Sequence, residues 1–438
     1  LHCTMDAIKK RERMYRSIIG QLQNDGYMAI AKSLTSQVKP FNPCTSSDFL
    51  FKAYSIGLEQ VEEDKTDQSY IPNVLESIPP GRGIDLEFEN EVQILSPEAV
   101  QYETCYVTAH KAPTRAATFS KNGQYIATGS VDTSIKVLDV ERMLAKSILP
   151  SDINNMMEQS SQAGGMADHP VIRTLYDHVD EITCIEFHPT QQILVSGSRD
   201  YTVKVFDFTK SSAKRATKAI SEVERVKTLA MHPAGDFILV GTHHPVIRLY
   251  DLETFQCFVS CHPADQHKGP INCISYNQTG NYYASGSKDG EIKIWDGVSS
   301  RCIMKFPDAH DGDDVCSVVF SRNGKYLLTS GKDSVARLWS LAAPTHPVLV
   351  YTGAELSGKQ THQAQAVFNH TEDYVFFPDE QTVSLCCWCA RTGERQRLLS
   401  LGHQGPARRI AHSPTIAAFI TSSEDFRARF WYKSPLSE

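Results

Sequence analysis

The sequence predicts a mainly β protein: a seven-bladed β-propeller preceded by a small all-α domain. Three observations support this prediction. A motif recurs along most of the chain, all tryptophans occupy one position of that motif, and helical periodicity is confined to residues 6–61. With 438 residues the chain also exceeds what one hydrophobic core usually serves, so a repeat fold or several domains is expected.

The motif combines a pair of small residues, a turn aspartate, a β-rich run and an aromatic–acid ending. It is ATGSVDTSIKVLD at 127–139, VSGSRDYTVKVFD at 195–207, ASGSKDGEIKIWD at 284–296 and LTSGKDSVARLWS at 328–340. The repeat endings are Asp139, Asp207, Asp251, Asp296, Ser340, Cys389 and Tyr432. Successive endings lie 43–49 residues apart, except for a first gap of 68 that contains the polar insertion 151–170. A period of about 40–45 residues is typical of four-stranded propeller blades.

Seven repeats are counted, five strong and two weak. Each of the four tryptophans directly precedes a repeat ending, as expected of a buried anchor repeated in each blade. In the fourth repeat, INCISYN, YYASGS and EIKIWDG have strand character and are separated by the turns QTGN and KDG. The third repeat has His244-Pro245 at the turn, and the sixth has Thr382 there and Cys389 as its last residue. The segment YETCYVT (102–108) precedes the first repeat, and we expect it to complete the last blade as a strand and remove a sheet edge.

A second regularity joins four residue types at fixed spacings. A histidine lies 22 or 23 residues before the turn aspartate, a serine or threonine four before it, and an aromatic residue or leucine six after it. The predicted set is His110, Thr128, Asp132 and Leu138; His178, Ser196, Asp200 and Phe206; His267, Ser285, Asp289 and Trp295; His310, Thr329, Asp333 and Trp339; His403, Thr421, Asp425 and Trp431.

This set resembles the hydrogen-bond network of WD-repeat proteins, in which a buried carboxylate is satisfied by an imidazole and a hydroxyl. A Ser/His/Asp combination also invites a hydrolase interpretation. Here the same combination recurs five times, whereas a catalytic site is normally built once. We therefore interpret it as structural, and predict no catalytic residues and no enzyme activity.

Residues 1–65 are predicted to form a helical dimerisation domain, and residues 66–100 an acidic, Pro/Gly-containing linker to the propeller at 101–438. Apolar residues at helical spacing mark two helices separated by Asp25-Gly26, and Ser47 is placed to cap a third helix. The residues predicted to mediate homodimerisation are Tyr15, Ile18, Ile19, Leu22, Tyr27, Ile30 and Leu34. IIGQLQNDGYMAIAKSL resembles the LisH-type dimerisation element. The alternative is that these helices dock on the propeller of the same chain.

Other sequence signals point away from metal, cofactor, membrane and nucleic acid. Cys386 and Cys389 form a CxxC, but residues three apart on a strand face opposite ways, and we predict no metal site there or at Cys257, Cys261 and His262. No phosphate-binding or dinucleotide fingerprint is present, so no cofactor is predicted. No apolar run approaches the ~18 residues of a membrane-spanning helix. The net charge of −7 and the lack of aromatics among the basic stretches (KSSAKRATK at 210–218 and the arginines after 390) favour protein partners over direct RNA contact.

Several longer phrases carry a more specific resemblance. SPEAVQYETCYVT, HPVIRTLYDHVDEITC, GDFILVGTHHPVIRLYD, TFQCFVSC, FNHTEDYVF and DFRARFWY are similar to the WD-repeat subunit of the cleavage stimulation factor, which acts in pre-mRNA 3′-end cleavage and polyadenylation. The similarity covers nearly the whole chain. It implies a nuclear, non-catalytic scaffold subunit that homodimerises through its N-terminal domain. It also implies that the propeller binds the helical-repeat scaffold subunit of the complex and that the chain contacts the C-terminal domain of RNA polymerase II, while another subunit binds RNA.

A second class of function is a substrate receptor of a ubiquitin-ligase assembly. LisH-plus-propeller architectures occur there too, but adaptor-binding propellers often carry a WDxR sequence. The endings WDGV, FDFT and YDLE of this chain lack that arginine. The sequence therefore favours the cleavage-factor function.

Overall fold

A computed structural model describes residues 15–38, 46–47, 83–86, 94, 96–148, 169–210, 214–354 and 358–433. The chain divides into two compact units, Leu1–Val74 and Leu75–Glu438. The predicted third helix after Ser47, most of the insertion 151–170 and KKRER lie outside the described residues. Among the described residues, no helix combines the length and apolarity needed to cross a bilayer.

The described part of the N-terminal unit contains two helices, at the positions predicted for the first two. Helix α1 covers residues 15–24 and helix α2 covers Met28–Val38. The predicted turn lies between them, and Gly26 adopts φ +86°, a left-handed conformation that suits glycine at a helix C-terminus. The Gly26 amide donates to the Gln23 carbonyl over 3.3 Å.

The described part of the second unit forms seven four-stranded antiparallel sheets, so the predicted seven-bladed propeller is confirmed. Blade 1 is β2 (Thr114–Phe119), β3 (Tyr125–Ser130), β4 (Ser134–Asp139) and β5 (Val171–Tyr176); blade 2 is β6 (Ile182–Phe187), β7 (Ile193–Ser198), β8 (Thr202–Asp207) and β9 (Lys218–Ser221). Blade 3 is β10 (Val226–Met231), β11 (Phe237–Thr242), β12 (Arg248–Asp251) and β13 (Cys257–Val259); blade 4 is β14 (Ile271–Tyr276), β15 (Tyr282–Ser287), β16 (Ile292–Asp296) and β17 (Cys302–Phe306). Blade 5 is β18 (Val315–Phe320), β19 (Tyr326–Gly331), β20 (Ala336–Ser340) and β21 (Pro347–Tyr351); blade 6 is β22 (Val367–Phe368), β23 (Tyr374–Asp379), β24 (Ser384–Cys389) and β25 (Leu399–Ser400).

Blade 7 joins the two ends of the propeller. It consists of β26 (Ala407–His412), β27 (Ala418–Ser423) and β28 (Arg427–Tyr432), and its outermost strand is β1 (Glu103–Ala109) from the start of the unit. β1 pairs antiparallel with β28 from Glu103 opposite Tyr432 to Ala109 opposite Arg427. The first strands of blades 7 and 1 also pack against each other, which closes the ring.

The hydrophobic core is divided among the blade interfaces. In the described residues the buried apolar side chains form seven clusters, one between each pair of neighbouring blades. The glycine of the repeated Gly-Ser pair lies at these contacts. A Cβ on Gly197 would lie 2.5 Å from Val226 Cγ1, and one on Gly286 would lie 2.5 Å from Val315 Cγ1. The small residue of the motif therefore allows the second strand of one blade to approach the first strand of the next.

Two features were not predicted from the sequence. Helix α3 (Val140–Ile148) directly follows the third strand of blade 1, so the insertion separates β4 from β5. Part of the segment predicted as a linker packs on the propeller: Ile84 is fully buried with residues of blades 5 and 6. The Ile84 amide donates to Glu372 Oε2 over 2.8 Å, and Asn323 Nδ2 donates to the Ile84 carbonyl over 2.6 Å.

Candidate functional site

The histidines, hydroxyls and aspartates of the repeat meet in five separate groups, one per strong blade. In blade 4, His267 Nδ1 lies 3.1 Å from Asp289 Oδ2, and His267 Nε2 lies 2.7 Å from Ser285 Oγ. Trp295 Nε1 donates to the same Ser285 oxygen over 2.8 Å. Because the indole can only donate, the serine keeps its own proton for His267 Nε2, and Nδ1–H donates to the carboxylate. The blade 4 group thus forms a directed chain of hydrogen bonds from the indole to the carboxylate.

The other four groups follow this arrangement with small differences. Blades 5 and 7 have complete groups: His310 with Asp333 (3.1 Å) and Thr329 (3.0 Å), and His403 with Asp425 (2.9 Å) and Thr421 (2.9 Å). In both, the indole N–H of Trp339 or Trp431 donates to the threonine over 3.0 Å.

Blades 1 and 2 have the same group without an indole, because Leu138 and Phe206 occupy the tryptophan position. His178 lies 2.8 Å from both Asp200 and Ser196. In blade 1, His110 Nε2 lies 2.9 Å from Thr128, but Asp132 lies 3.5 Å from His110 Nδ1, which instead contacts Ser134 Oγ at 3.0 Å.

Burial and hydrogen bonding act against each other at these groups. Burial alone would raise the pKa of the Asp289 carboxyl, but hydrogen bonds from His267 and from the Lys268 and Glu291 amides hold that pKa well below its ordinary value. Burial lowers the pKa of His267, against the attraction of Asp289. The five imidazoles have no exposed side-chain area. An imidazole closed off from solvent suits bracing better than proton transfer to a substrate.

Blade 3 replaces the histidine group with a different buried network, which was not predicted. Glu222 lies 22 residues before His244 and therefore occupies the histidine position. Tyr250, at the tryptophan position, donates its hydroxyl to Glu222 Oε1 over 2.7 Å, and Arg248 Nη1 lies 3.0 Å from Glu222 Oε2. The fixed spacing of the other repeats is the signal that identifies Glu222.

Blade 6 has neither network. Trp388 Nε1 donates to the Thr352 carbonyl over 2.8 Å, because Pro378 occupies the hydroxyl position. Thr382 Oγ1 donates to Asp379 at 2.6 Å. The cysteines of the CxxC strand are buried: Cys386 packs between blades 5 and 6, and Cys387 between blades 6 and 7.

Among the described residues, one group has ligand atoms close enough for a metal ion: His267, Asp289 and Glu291, within 4.8 Å of one another. Two of its members belong to the blade 4 network and already hydrogen bond to each other. Cys261 Sγ lies 3.1 Å from His262 Nδ1 on the exposed loop after blade 3.

The predicted dimerisation residues lie on α1 and α2, apart from Tyr27, which directly precedes α2, and they differ in exposure. Tyr27 and Ile30 are exposed by 58% and 56%, whereas Ile19 is fully buried in the single chain. Tyr15, Ile18, Leu22 and Leu34 are half-buried. Ile19 therefore supports the chain's own fold, and the exposed apolar surface is that of Tyr27, Met28 and Ile30.

The centre of the ring contains a cavity of about 460 Å³ with residues from all seven blades in its wall. Its charged lining residues are Arg115, Glu181, Arg199, Arg225, Lys227, Lys288, Asp314, Lys332, Arg408 and Arg409. Eight of these ten are basic, although the whole chain has a net charge of −7. Only Arg408 and Arg409 belong to the basic residues noted in the sequence.

A seven-bladed ring braced by repeated His–Asp groups and preceded by a helical unit defines a WD-repeat β-propeller protein. Comparison with known proteins agrees. Residues 103–139 and 170–207 match the WD domain, G-beta repeat; residues 213–352 match the Vps8 beta-propeller; and residues 6–62 match the dimerisation domain of cleavage stimulation factor subunit 1. The chain is 36% identical to cleavage stimulation factor subunit 50 of Arabidopsis thaliana over 366 residues, which cover 83% of this chain and 81% of the relative. The chain therefore belongs to the family of this WD-repeat subunit of the cleavage stimulation factor.

Two further similarities are more distant. Pre-mRNA-processing factor 19 of Oryza sativa subsp. japonica is 26% identical over 58% of this chain and 43% of the relative. The crystal structure of the Cps50 (Swd1) β-propeller domain of Myceliophteria thermophila superposes with a TM-score of 0.60 at 17% identity, over 75% of this chain and 99% of that domain. This last likeness concerns the fold alone.

Proposed function

We propose that the protein is a nuclear, non-catalytic scaffold subunit of the cleavage stimulation factor that acts in pre-mRNA 3′-end cleavage and polyadenylation. The observation that carries the proposal is the 36% identity to a cleavage stimulation factor subunit over 83% of the chain, together with the matched dimerisation domain. The histidine side chains of the five His–Asp groups are fully buried, which supports a bracing role for the residue types that would otherwise suggest catalysis.

In the proposed mechanism, the N-terminal helices pair two chains, and each propeller binds one helical-repeat scaffold subunit. Two docking faces in one particle raise the effective affinity for a partner that is itself dimeric or repetitive, because the second contact forms within the complex. Repeats on the C-terminal domain of RNA polymerase II are a partner of this kind.

The proposal is tested by depleting the protein from nuclear extract and restoring it with purified variants. The wild-type chain is expected to restore cleavage of a pre-mRNA substrate and to co-purify with the helical-repeat subunit. Ile30→Asp is expected to retain that subunit but lose the self-pairing, and Gln37→Asp, an exposed neutral position on the same helix, is the matched control. Cleavage that is unaffected by depletion, or co-purification with a ubiquitin-ligase adaptor instead, would overturn the proposal.

A further inference from the structure

The basic residues of the central cavity divide into two groups with different partners. On the side formed by blades 7, 1 and 2, three of the four basic lining residues are paired with a carboxylate, and the exception among the described residues is Arg409. Arg115 and Arg199 each lie 3.1 Å from Glu181, and Arg408 lies 2.7 Å from Glu424. Arg408 also lies 3.4 Å from Glu380. This side of the cavity is close to electrically neutral.

The opposite side, formed by blades 3, 4 and 5, is not neutralised. Within the described residues, no carboxylate oxygen lies within the 4.0 Å ion-pair distance of Arg225 or Lys288. Lys227 donates to the neutral Asn272 Oδ1 over 2.8 Å, and Lys332 pairs with Asp314 at 3.0 Å. We call Arg225, Lys227 and Lys288 the cationic arc. Arg225 and Lys288 are exposed and Lys227 is half-buried, so all three belong to the accessible wall of one cavity.

Three adjacent cations without carboxylate partners are costly to hold together, because like charges in a partly desolvated wall repel one another. Burial lowers the pKa of Lys227, and Lys288 and Lys332 lower it further against Asp314. An anion in the cavity would remove this repulsion. A phosphate group carries about −1.5 to −2 charges and three strong acceptor oxygens, and an arginine can bind it in bidentate fashion.

We infer that the cationic arc binds a phosphorylated segment of a partner protein. The cavity of about 460 Å³ falls within the range of small-ligand sites and can hold a phosphorylated side chain with its neighbours. RNA fits less well, since the lining contains no Phe, Tyr or Trp on which bases could stack, and the chain as a whole is acidic. The site adds to the proposed scaffold function a partner contact that depends on phosphorylation.

The test uses the full chain and a fluorescent twelve-residue Gly/Ser peptide with three phosphoserines, measured by anisotropy at physiological ionic strength. The wild-type chain is expected to bind this peptide at least tenfold more tightly than the unphosphorylated peptide. The triple variant Arg225→Gln, Lys227→Gln, Lys288→Gln is expected to lose roughly a hundredfold or more in affinity, because each of the three lost charge-assisted hydrogen bonds is worth severalfold to about tenfold. The matched control Lys121→Gln, Lys210→Gln, Lys305→Gln removes the same charge at exposed positions away from the cavity and should bind normally.

Lys288→Gln alone is the second variant, because this exposed side chain can be changed without disturbing the core. It should weaken the phosphopeptide severalfold at an unchanged unfolding temperature. Equal binding of both peptides, equal losses in the control triple variant, or full affinity in Lys288→Gln would overturn the inference. It would also be overturned if a twelve-nucleotide uridine RNA bound more tightly than the phosphopeptide and required the same three residues, since the site would then be an RNA site.

Discussion

At the residue scale, each strong blade depends on one imidazole that joins the loop before its first strand to the turn between its second and third strands. His267 reaches Asp289 at 3.1 Å and Ser285 at 2.7 Å while fully enclosed. A buried donor without a partner costs about 1–3 kcal/mol of stability. The group therefore stabilises its blade only when every hydrogen-bond partner is present. The same reasoning applies to Glu222 and Tyr250 in blade 3, where different side chains satisfy one another in the same place.

The change Asp289→Ala should lower the stability of the propeller by about 1–3 kcal/mol, because it leaves the His267 Nδ1–H without an acceptor. The measurement is the unfolding midpoint in heat or urea. Glu253→Ala, an exposed acidic position in the preceding repeat, is the control and should leave the midpoint unchanged. Equal midpoints for Asp289→Ala and the parent chain would refute the bracing role.

A pair of stacked histidines between blades 6 and 7 predicts how stability depends on pH. The rings of His370 and His412 lie 5.5 Å apart, and both ring nitrogens of His370 are buried without a hydrogen-bond partner. Burial, with a contribution from Arg322, lowers the pKa of His370 to about 4. Burial, with a contribution from His370, lowers the pKa of His412 to about 3. The unfolded chain, with an ordinary histidine pKa of about 6.5, therefore takes up protons first as the pH falls.

The free energy of unfolding should therefore fall progressively as the pH drops below about 6.5. The fall should continue until the pH reaches the pKa values that the two histidines have in the folded chain, about 4 and about 3. His370→Phe removes one of the two proton-binding sites and keeps the aromatic contact. We expect the loss between pH 7 and pH 5 to be smaller in this variant by about 2 kcal/mol. The check is urea unfolding at both pH values, and parallel pH profiles for the two proteins would contradict it.

At the element scale, the ring is held closed by β1, which comes from before the first repeat and pairs with the last strand. The strand was predicted from the alternation of 102–108, because the last strand of the final repeat would otherwise have an unpaired edge. The tie at Ile84 was not predicted, because one buried isoleucine in a polar, Pro/Gly-containing segment gives no periodic signal. Blade 3 was recognised as weak, but its replacement network was not predicted, because Glu222 stands where the other repeats have histidine.

A chain that begins at residue 110 should therefore aggregate or unfold at a markedly lower temperature, because the edge of β28 loses its partner strand. A chain that begins at residue 96 retains β1 but lacks the 83–86 segment, and it serves as the comparison. Melting temperature and monodispersity by gel filtration are the measurements. Similar behaviour of the two truncated chains would show that β1 does not close the ring.

At the scale of the whole molecule, the fold was predictable because its sequence signals recur. The period of 43–49 residues between repeat endings and the spacing of 22 residues between histidine and turn aspartate each occur several times in the sequence. The central cavity was not predictable in the same way. Arg225, Lys227 and Lys288 are unremarkable in the sequence, and they share a wall only because the blades close into a ring. The two units also present different surfaces: the N-terminal helical unit exposes Tyr27, Met28 and Ile30, and the propeller contains the cavity with eight basic lining residues.

The proposed scaffold function requires that one particle contain two propellers. Multi-angle light scattering of the purified full chain tests this most directly. We expect a mass of twice the 48.9 kDa chain for the wild type and for Gln37→Asp, and a single-chain mass for Ile30→Asp and for a chain that begins at residue 75. A wild-type mass of one chain, or a dimer that persists without the first 74 residues, would contradict it.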